Sequence, residues 1–181
     1  MSKKVVKTAD LDPSQVGLSC PEKIEAKLRF SKAEMPLTQT CEMTYSYEGE
    51  NLEILCTQEH ADIVHQTDHA LCTAISDNSE AWFGQIITYD QLERMYRPTL
   101  QGGRNPRQML KASSFKAFDI ETKLIDTFPS SGSGIFIIKL DGVKFEEKVC
   151  EAQWSVVQAK ECLPPDPPAP PPAPVVSPMF V

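Results

Sequence analysis

No stretch of this 181-residue sequence approaches the roughly 20 consecutive apolar residues of a membrane span, and its N-terminus lacks the apolar core of a signal peptide, with Lys3, Lys4 and Lys7 around Val5 and Val6. A cytosolic or nuclear setting is the expectation. The six cysteines (Cys20, Cys41, Cys56, Cys72, Cys150, Cys162) form no C-x-x-C pair, which argues against a zinc ribbon and leaves any disulfide connectivity open. Reduced, mostly buried thiols are expected. Nucleophile-elbow, H-E-x-x-H, Walker A and dinucleotide-binding glycine signatures are also missing. Gly132-Ser133-Gly134 precedes a strand rather than a helix, so it lacks the helix N-terminus that binds phosphate and reads as a hairpin connection. Carboxylate pairs such as Glu146-Glu147 fall on expected turns, where solvent keeps them ordinary acids. The sequence gives no argument for an enzyme or for a cofactor.

The most telling absence is local. Between Arg94 and Lys116 there is no Asp or Glu, although the net charge of the chain is −7. The same segment holds Arg94, Arg97, Arg104, Arg107, Lys111 and Lys116, with Tyr96 and Phe115 among them. Cations interleaved with aromatic rings suit single-stranded nucleic acid, because the cations neutralise phosphates while bases stack on the rings. A solvated basic loop balancing acidic neighbours would produce the same composition.

Three regions are expected. Residues 1–19, punctuated by Asp12-Pro13 and Gly17, read as an irregular arm. Residues 20–163 read as one folded domain. Ile24, Ala26, Leu28 and Phe30 alternate with charged residues as one strand, and runs 41–47 and 52–56 flank Glu48-Gly49-Glu50-Asn51 as a hairpin. Val64, Leu71 and Ile75 then recur at helical spacing over residues 58–76 behind a Thr57 cap, and Thr88 with Gln91 forms a capping box for a second, shorter helix. The basic segment begins at the end of that helix and continues as a Gly-Gly and Asn-Pro loop. Strands follow at 114–120, 135–140, 143–145 and 153–159, with Asp141-Gly142 as a turn. Trp154 fits either a core position or a stacking platform. His65, His69 and Cys72 share one helix face but need a fourth ligand to hold zinc, and no metal is expected.

Residues 164–181 are the third region. Nine of the fifteen residues from Pro164 to Pro178 are proline, which gives an extended polyproline II arm. Its tip, Met179, Phe180 and Val181, is apolar and reads either as an anchor for a protein partner or as an inert disordered end.

The run from Ser114 to Asp126, the stretch Gly132-Ser-Gly-Ile-Phe-Ile-Ile-Lys-Leu-Asp-Gly-Val-Lys-Phe145 and the segment Trp154 to Lys160, preceded by Trp82-Phe-Gly-Gln85 and Asp90 to Leu100, carry a resemblance. Over residues 81–160 the chain resembles the single-stranded DNA-binding proteins of short-tailed phages and their relatives in large DNA viruses of algae and protists. The resemblance implies a mainly β, α+β fold: a small OB-like β-barrel with one or two helices, flanked here by the N-terminal arm and the Pro-rich C-terminal arm. Such proteins end in an acidic tail with a terminal aromatic that recruits replication partners and competes with DNA. This tail differs, having Asp166 alone among its prolines, although Phe180 supplies the aromatic.

The expectation is a non-enzymatic single-stranded DNA-binding protein of a large DNA virus, in the host cytoplasm or nucleus. Arg94, Tyr96, Arg97, Arg104, Arg107, Lys111, Phe115 and Lys116 form its interface, and an oligomer is allowed. The alternative is a structural virion protein, a minor capsid or scaffolding component whose arms bind neighbouring capsid proteins.

Overall fold

Alternation of buried and exposed side chains closes the sheet on itself. In the computed structural model, which describes residues 4–163, five strands numbered here in chain order form a barrel: β1 Met43–Glu48, β2 Asn51–Leu55, β3 Arg107–Lys111, β4 Ser131–Glu146 and β5 Val149–Cys162. β1, β2 and β3 form an antiparallel meander, β3 meets β5 in parallel at Lys111 and Ser155, β5 returns antiparallel to β4, and β4 pairs with the start of β1. The circuit 1-2-3-5-4-1 is that of an OB-like barrel. Inward positions are filled by Tyr45, Leu52, Ile54, Leu110, Phe136, Ile138, Leu140, Trp154 and Val156, all buried. Each large apolar side chain removed from water there contributes about 1.5 to 3 kcal/mol.

Two α-helices occupy the connection between β2 and β3: α1 Gln58–Phe83 and α2 Tyr89–Met95. Thr57 caps α1 by accepting from the His60 amide, and Val64, Leu71 and Ile75 face the core as the spacing predicts. The helix is longer than its sequence period suggests. It takes in Trp82 and Phe83 and stops at Gly84, whose φ of 69° only glycine adopts without strain. The Thr88–Gln91 capping box of α2 is present.

Several expectations are corrected. The N-terminal arm is not irregular: Val5–Lys7 pairs in parallel with Leu37–Gln39, Gly17–Leu18 pairs with Leu28–Glu34, and Thr8, Leu11 and Pro13 are buried. Strands of two or three residues are too short to show a period. The alternation at 24–30 belongs to a hairpin, Glu22–Glu25 with Leu28–Glu34, whose turn carries none of the usual turn residues. Gly132-Ser133-Gly134 lies inside β4 against β1 rather than in a connection, because Tyr45 lies over both glycines. Asp141-Gly142 is an irregularity within the continuous β4, not a turn. A Cβ at Gly142 would run into the Ser31 carbonyl and stand 2.7 Å from the Phe30 ring, so the glycine admits a close crossing of the strand Leu28–Glu34. The tail residues Met179, Phe180 and Val181 lie outside the described residues.

Candidate nucleic-acid interface

The basic segment begins at the end of α2 and keeps the expected Gly-Gly and Asn-Pro loop at residues 102–106, with short strands on either side of it. Residues 96–118 run beside β5 in successive parallel pieces: Tyr96 and Arg97 against Cys150 and Glu151, Lys111 against Ser155, and Lys116–Phe118 against Gln158–Lys160. On β5 the side chains of Trp154, Val156 and Ala159 are buried, and the irregularity between Val156 and Gln158 resets the alternation by one residue. Glu151, Ser155 and Gln158 therefore share the outer face. Their partners Arg97, Lys111 and Lys116, all exposed, stand in a row over about 23 Å at roughly 3.3 Å per residue.

β3 widens this row. Its outward residues are Arg107, Met109 and Lys111, while Gln108 and Leu110 point inward. Arg104 sits in the tight connection between Leu100–Gln101 and β3, where Gly102 and Gly103 take φ of 94° and 56°. A Cβ on Gly102 would stand 2.6 Å from the Asn105 carbonyl, which explains the glycine. Arg94 is exposed in the last turn of α2, off the β3–β5 row.

The two aromatic candidates differ. Tyr96 is buried, and its hydroxyl donates to Asp68 Oδ1 at 2.7 Å, so its ring cannot stack on a base. Asp68 also accepts from the Thr99 amide at 2.9 Å and hydroxyl at 2.6 Å, tying α1 to the start of the basic segment. Burial pushes the Asp68 carboxyl above its ordinary value against these three donors, and burial followed by the neighbouring carboxylate pushes the Tyr96 phenol up as well. Phe115 is half-buried, edge-on to Tyr47 and Phe128, each at 5.7 Å between ring centres. Its partner Tyr47 is also half-buried on β1 and was not singled out by sequence.

Met109 and Leu55, 50% and 41% exposed, are the other omissions, placed on adjacent strands of this outer face. The sequence Arg-Gln-Met-Leu-Lys hides Met109. Its inner pair is Gln and Leu and its outer set Arg, Met and Lys, so neither face has a uniform polarity.

Charge is uneven across the face. Arg107 donates to Glu53 at 2.8 Å and Arg97 lies 3.6 Å from Glu151, whereas Arg94, Arg104, Lys111 and Lys116 have no ion pair among the described residues. Glu48 at the end of β1, Glu50 in the β1–β2 turn and Glu53 on β2 repel phosphate from that side. The electropositive path thus follows β3 and the edge of β5. Between these strands opens a cleft of about 300 Å³ lined by Arg97, Lys111, Gln153 and Trp154, among others. Trp154 is only 4% exposed, so it belongs to the core while forming the cleft wall.

Elsewhere, His69 Nδ1 is 2.7 Å from the Tyr89 hydroxyl and Cys72 turns into the core; among the described residues no three His, Cys, Asp or Glu side chains converge as metal ligands.

No protein-family model and no curated protein matches the sequence. Solved structures of the single-stranded DNA-binding protein from bacteriophage Enc34 overlap the chain. The C-terminally truncated form gives a TM-score of 0.45 at 9% identity over 83% of this chain and 97% of that one. The form in complex with single-stranded DNA gives 0.47 at 8%, over 81% and 96%, and a third structure gives 0.43 at 9%, over 80% and 89%. The likeness is one of general chain course.

Proposed function

We propose that the protein is a non-enzymatic single-stranded DNA-binding protein of a DNA virus, and that the strand lies along β3 and the edge of β5. The observation that carries the reading is the outward row of Arg97, Lys111 and Lys116, extended by Arg107 on β3, on an otherwise acidic protein. Cations along a sheet face track a phosphate backbone, and the face of the second and third strands is where OB barrels take oligonucleotides. Met109 and Leu55 supply open apolar surface for bases beside that track, whereas Phe115 and Tyr47 pack against the core. The resemblance of residues 81–160 to viral single-stranded DNA-binding proteins supports the viral setting.

The test is binding of an unstructured oligonucleotide and of a duplex by the full chain, with the double variant Lys111→Ala, Lys116→Ala alongside. Tighter binding of the single strand, weakened in the double variant at unchanged thermal midpoint, is expected, since neither lysine has an ion pair to lose among the described residues. Absence of binding at low salt overturns the reading and favours a particle-structural role. Equal binding by the double variant moves the interface to another face.

A further inference from the structure

We propose that the pocket between the hairpin of residues 22–34, the two α-helices and the β4–β5 turn docks an acidic peptide segment of a partner protein, with one bulky apolar side chain of the peptide entering it and its carboxylates meeting Lys23 and Arg29. The pocket, about 280 Å³, lies apart from the cation row. Cys150 lines it and is buried, whereas Glu151, the next residue of β5, stands on the outer face opposite Arg97, and successive strand residues point to opposite faces. A peptide here and a DNA strand on the row would use opposite faces of β5, so the inference does not rest on the DNA-binding reading.

Its interior is apolar and held in shape. Ile75, Leu92 and Cys150 are buried at its floor, and Phe83, Ile87, Phe145 and Val149 are half-buried around them. The connection between α1 and α2 is pinned at this point: the Ile87 amide donates to Ser79 Oγ at 2.9 Å, and its carbonyl accepts from Ser76 Oγ at 2.9 Å. Phe83 and Phe145 meet at 5.4 Å between ring centres. A guest side chain finds a formed cavity, so little ordering opposes its burial. The mouth is basic on an acidic protein. Lys23, Lys27 and Arg29 border it, all exposed, against one carboxylate, Glu147, which already pairs with Lys27. Lys23 and Arg29 have no ion pair among the described residues, and the Arg29 guanidinium lies 5.9 Å from the centre of the Phe83 ring, joining the cationic mouth to the apolar wall. Glu22 of the same hairpin is 4.0 Å from Lys32, and neither it nor Glu25 lines the pocket. The extent of open apolar surface favours a peptide over a small acid. Ile86 and Ile24, 72% and 58% exposed, adjoin the lining residues Gln85, Ile87 and Lys23, and one small guest inside the pocket would leave both uncovered.

The experiment titrates the isotope-labelled full chain with an end-capped peptide, Glu-Asp-Phe-Glu-Asp-Leu-Glu, and follows the backbone amide resonances. Shifts are expected at Lys23, Arg29, Val149 and residues 83–87, with Lys111 and Lys116 unmoved. Replacing the Phe and Leu of the peptide by Ala should abolish the shifts at residues 83–87. The double variant Lys23→Glu, Arg29→Glu, which breaks no ion pair among the described residues, is expected to bind the peptide about tenfold more weakly at an unchanged thermal midpoint. The comparison of the two peptides on wild type decides the matter if that variant fails to fold. Shifts confined to β3 and the edge of β5, equal binding of the Ala peptide, equal binding by the charge-reversed variant, or no shift at millimolar peptide each overturn the proposal. Phenylacetate giving the same shifts as tightly as the peptide makes this a small-acid site and overturns the peptide reading. Amides of residues 83–87 that shift with protein concentration alone assign the face to a second copy of the chain and overturn it as well.

Discussion

His60 shows how one buried polar residue can set a pH limit on this fold. It is 1% exposed at the start of α1, and its Nε2 stands 2.8 Å from Gln108 Oε1, which points into the barrel from β3. Burial pushes the imidazole below its ordinary 6.5, against the smaller upward effect of the Gln108 bond, so the folded protein holds it neutral. The unfolded chain takes up a proton at about 6.5 and the folded one only at lower pH, so the unfolded state binds more protons in that window. Stability is then full above about 6.5 and declines as pH falls from there toward the depressed folded value. His60→Gln, which cannot ionise, should flatten the decline in thermal midpoint between pH 7 and 5. A variant with the same pH slope as wild type would remove His60 as the cause. The buried Asp68, pushed upward by burial, acts in the opposite sense, favouring the folded state as pH drops through the carboxylate range.

At the scale of elements, Gly142 lets β4 remain one strand where the sequence signals a turn. Its replacement by Ala would force a Cβ against the Ser31 carbonyl and the Phe30 ring. We expect Gly142→Ala to cost about 1 to 3 kcal/mol, read as a lower urea midpoint at unchanged slope, because backbone rather than a flexible side chain stands in the way. A midpoint within error of wild type would mean the crossing strand yields freely. This position also marks what the sequence could tell. The β1–β2 hairpin and both helices were legible, because a turn glycine, helical spacing and threonine caps are local signals. β3 was not, since Gln108 faces inward and Met109 outward, reversing the polarity that identifies a strand. The long β4 and β5 were seen only as fragments, their periods broken at the two irregularities. For the site, Arg97, Lys111 and Lys116 were legible as charge but not as a row, because their alignment depends on pairing with β5, far along the chain. The burial of Tyr96 is not legible in the sequence for a similar reason: its partner Asp68 lies on α1, out of reach of any local pattern.

For the whole molecule, the proposed DNA binding turns on how many of its cations can release counterions. The chain carries 18 Lys and Arg against 25 Asp and Glu, so at long range it repels a polyanion and only the local row attracts one. Arg97 and Arg107 already face Glu151 and Glu53, and phosphate must displace those carboxylates to engage them. Lys111 and Lys116 carry no such competitor among the described residues. With about −0.7 per contact on single strands, the two lysines alone give a log–log salt slope near −1.4, and all four cations of the face near −2.8. A slope between about −1.4 and −2.8 is therefore expected in a titration of oligonucleotide affinity against salt. Glu53→Gln should raise affinity by freeing Arg107 and bring the slope closer to the upper figure. A slope near −4, the figure for all six cations of residues 94–116, would instead bring Arg94 and Arg104 onto the DNA path and require the strand to leave the β3–β5 row toward α2 and the Gly102–Asn105 turn.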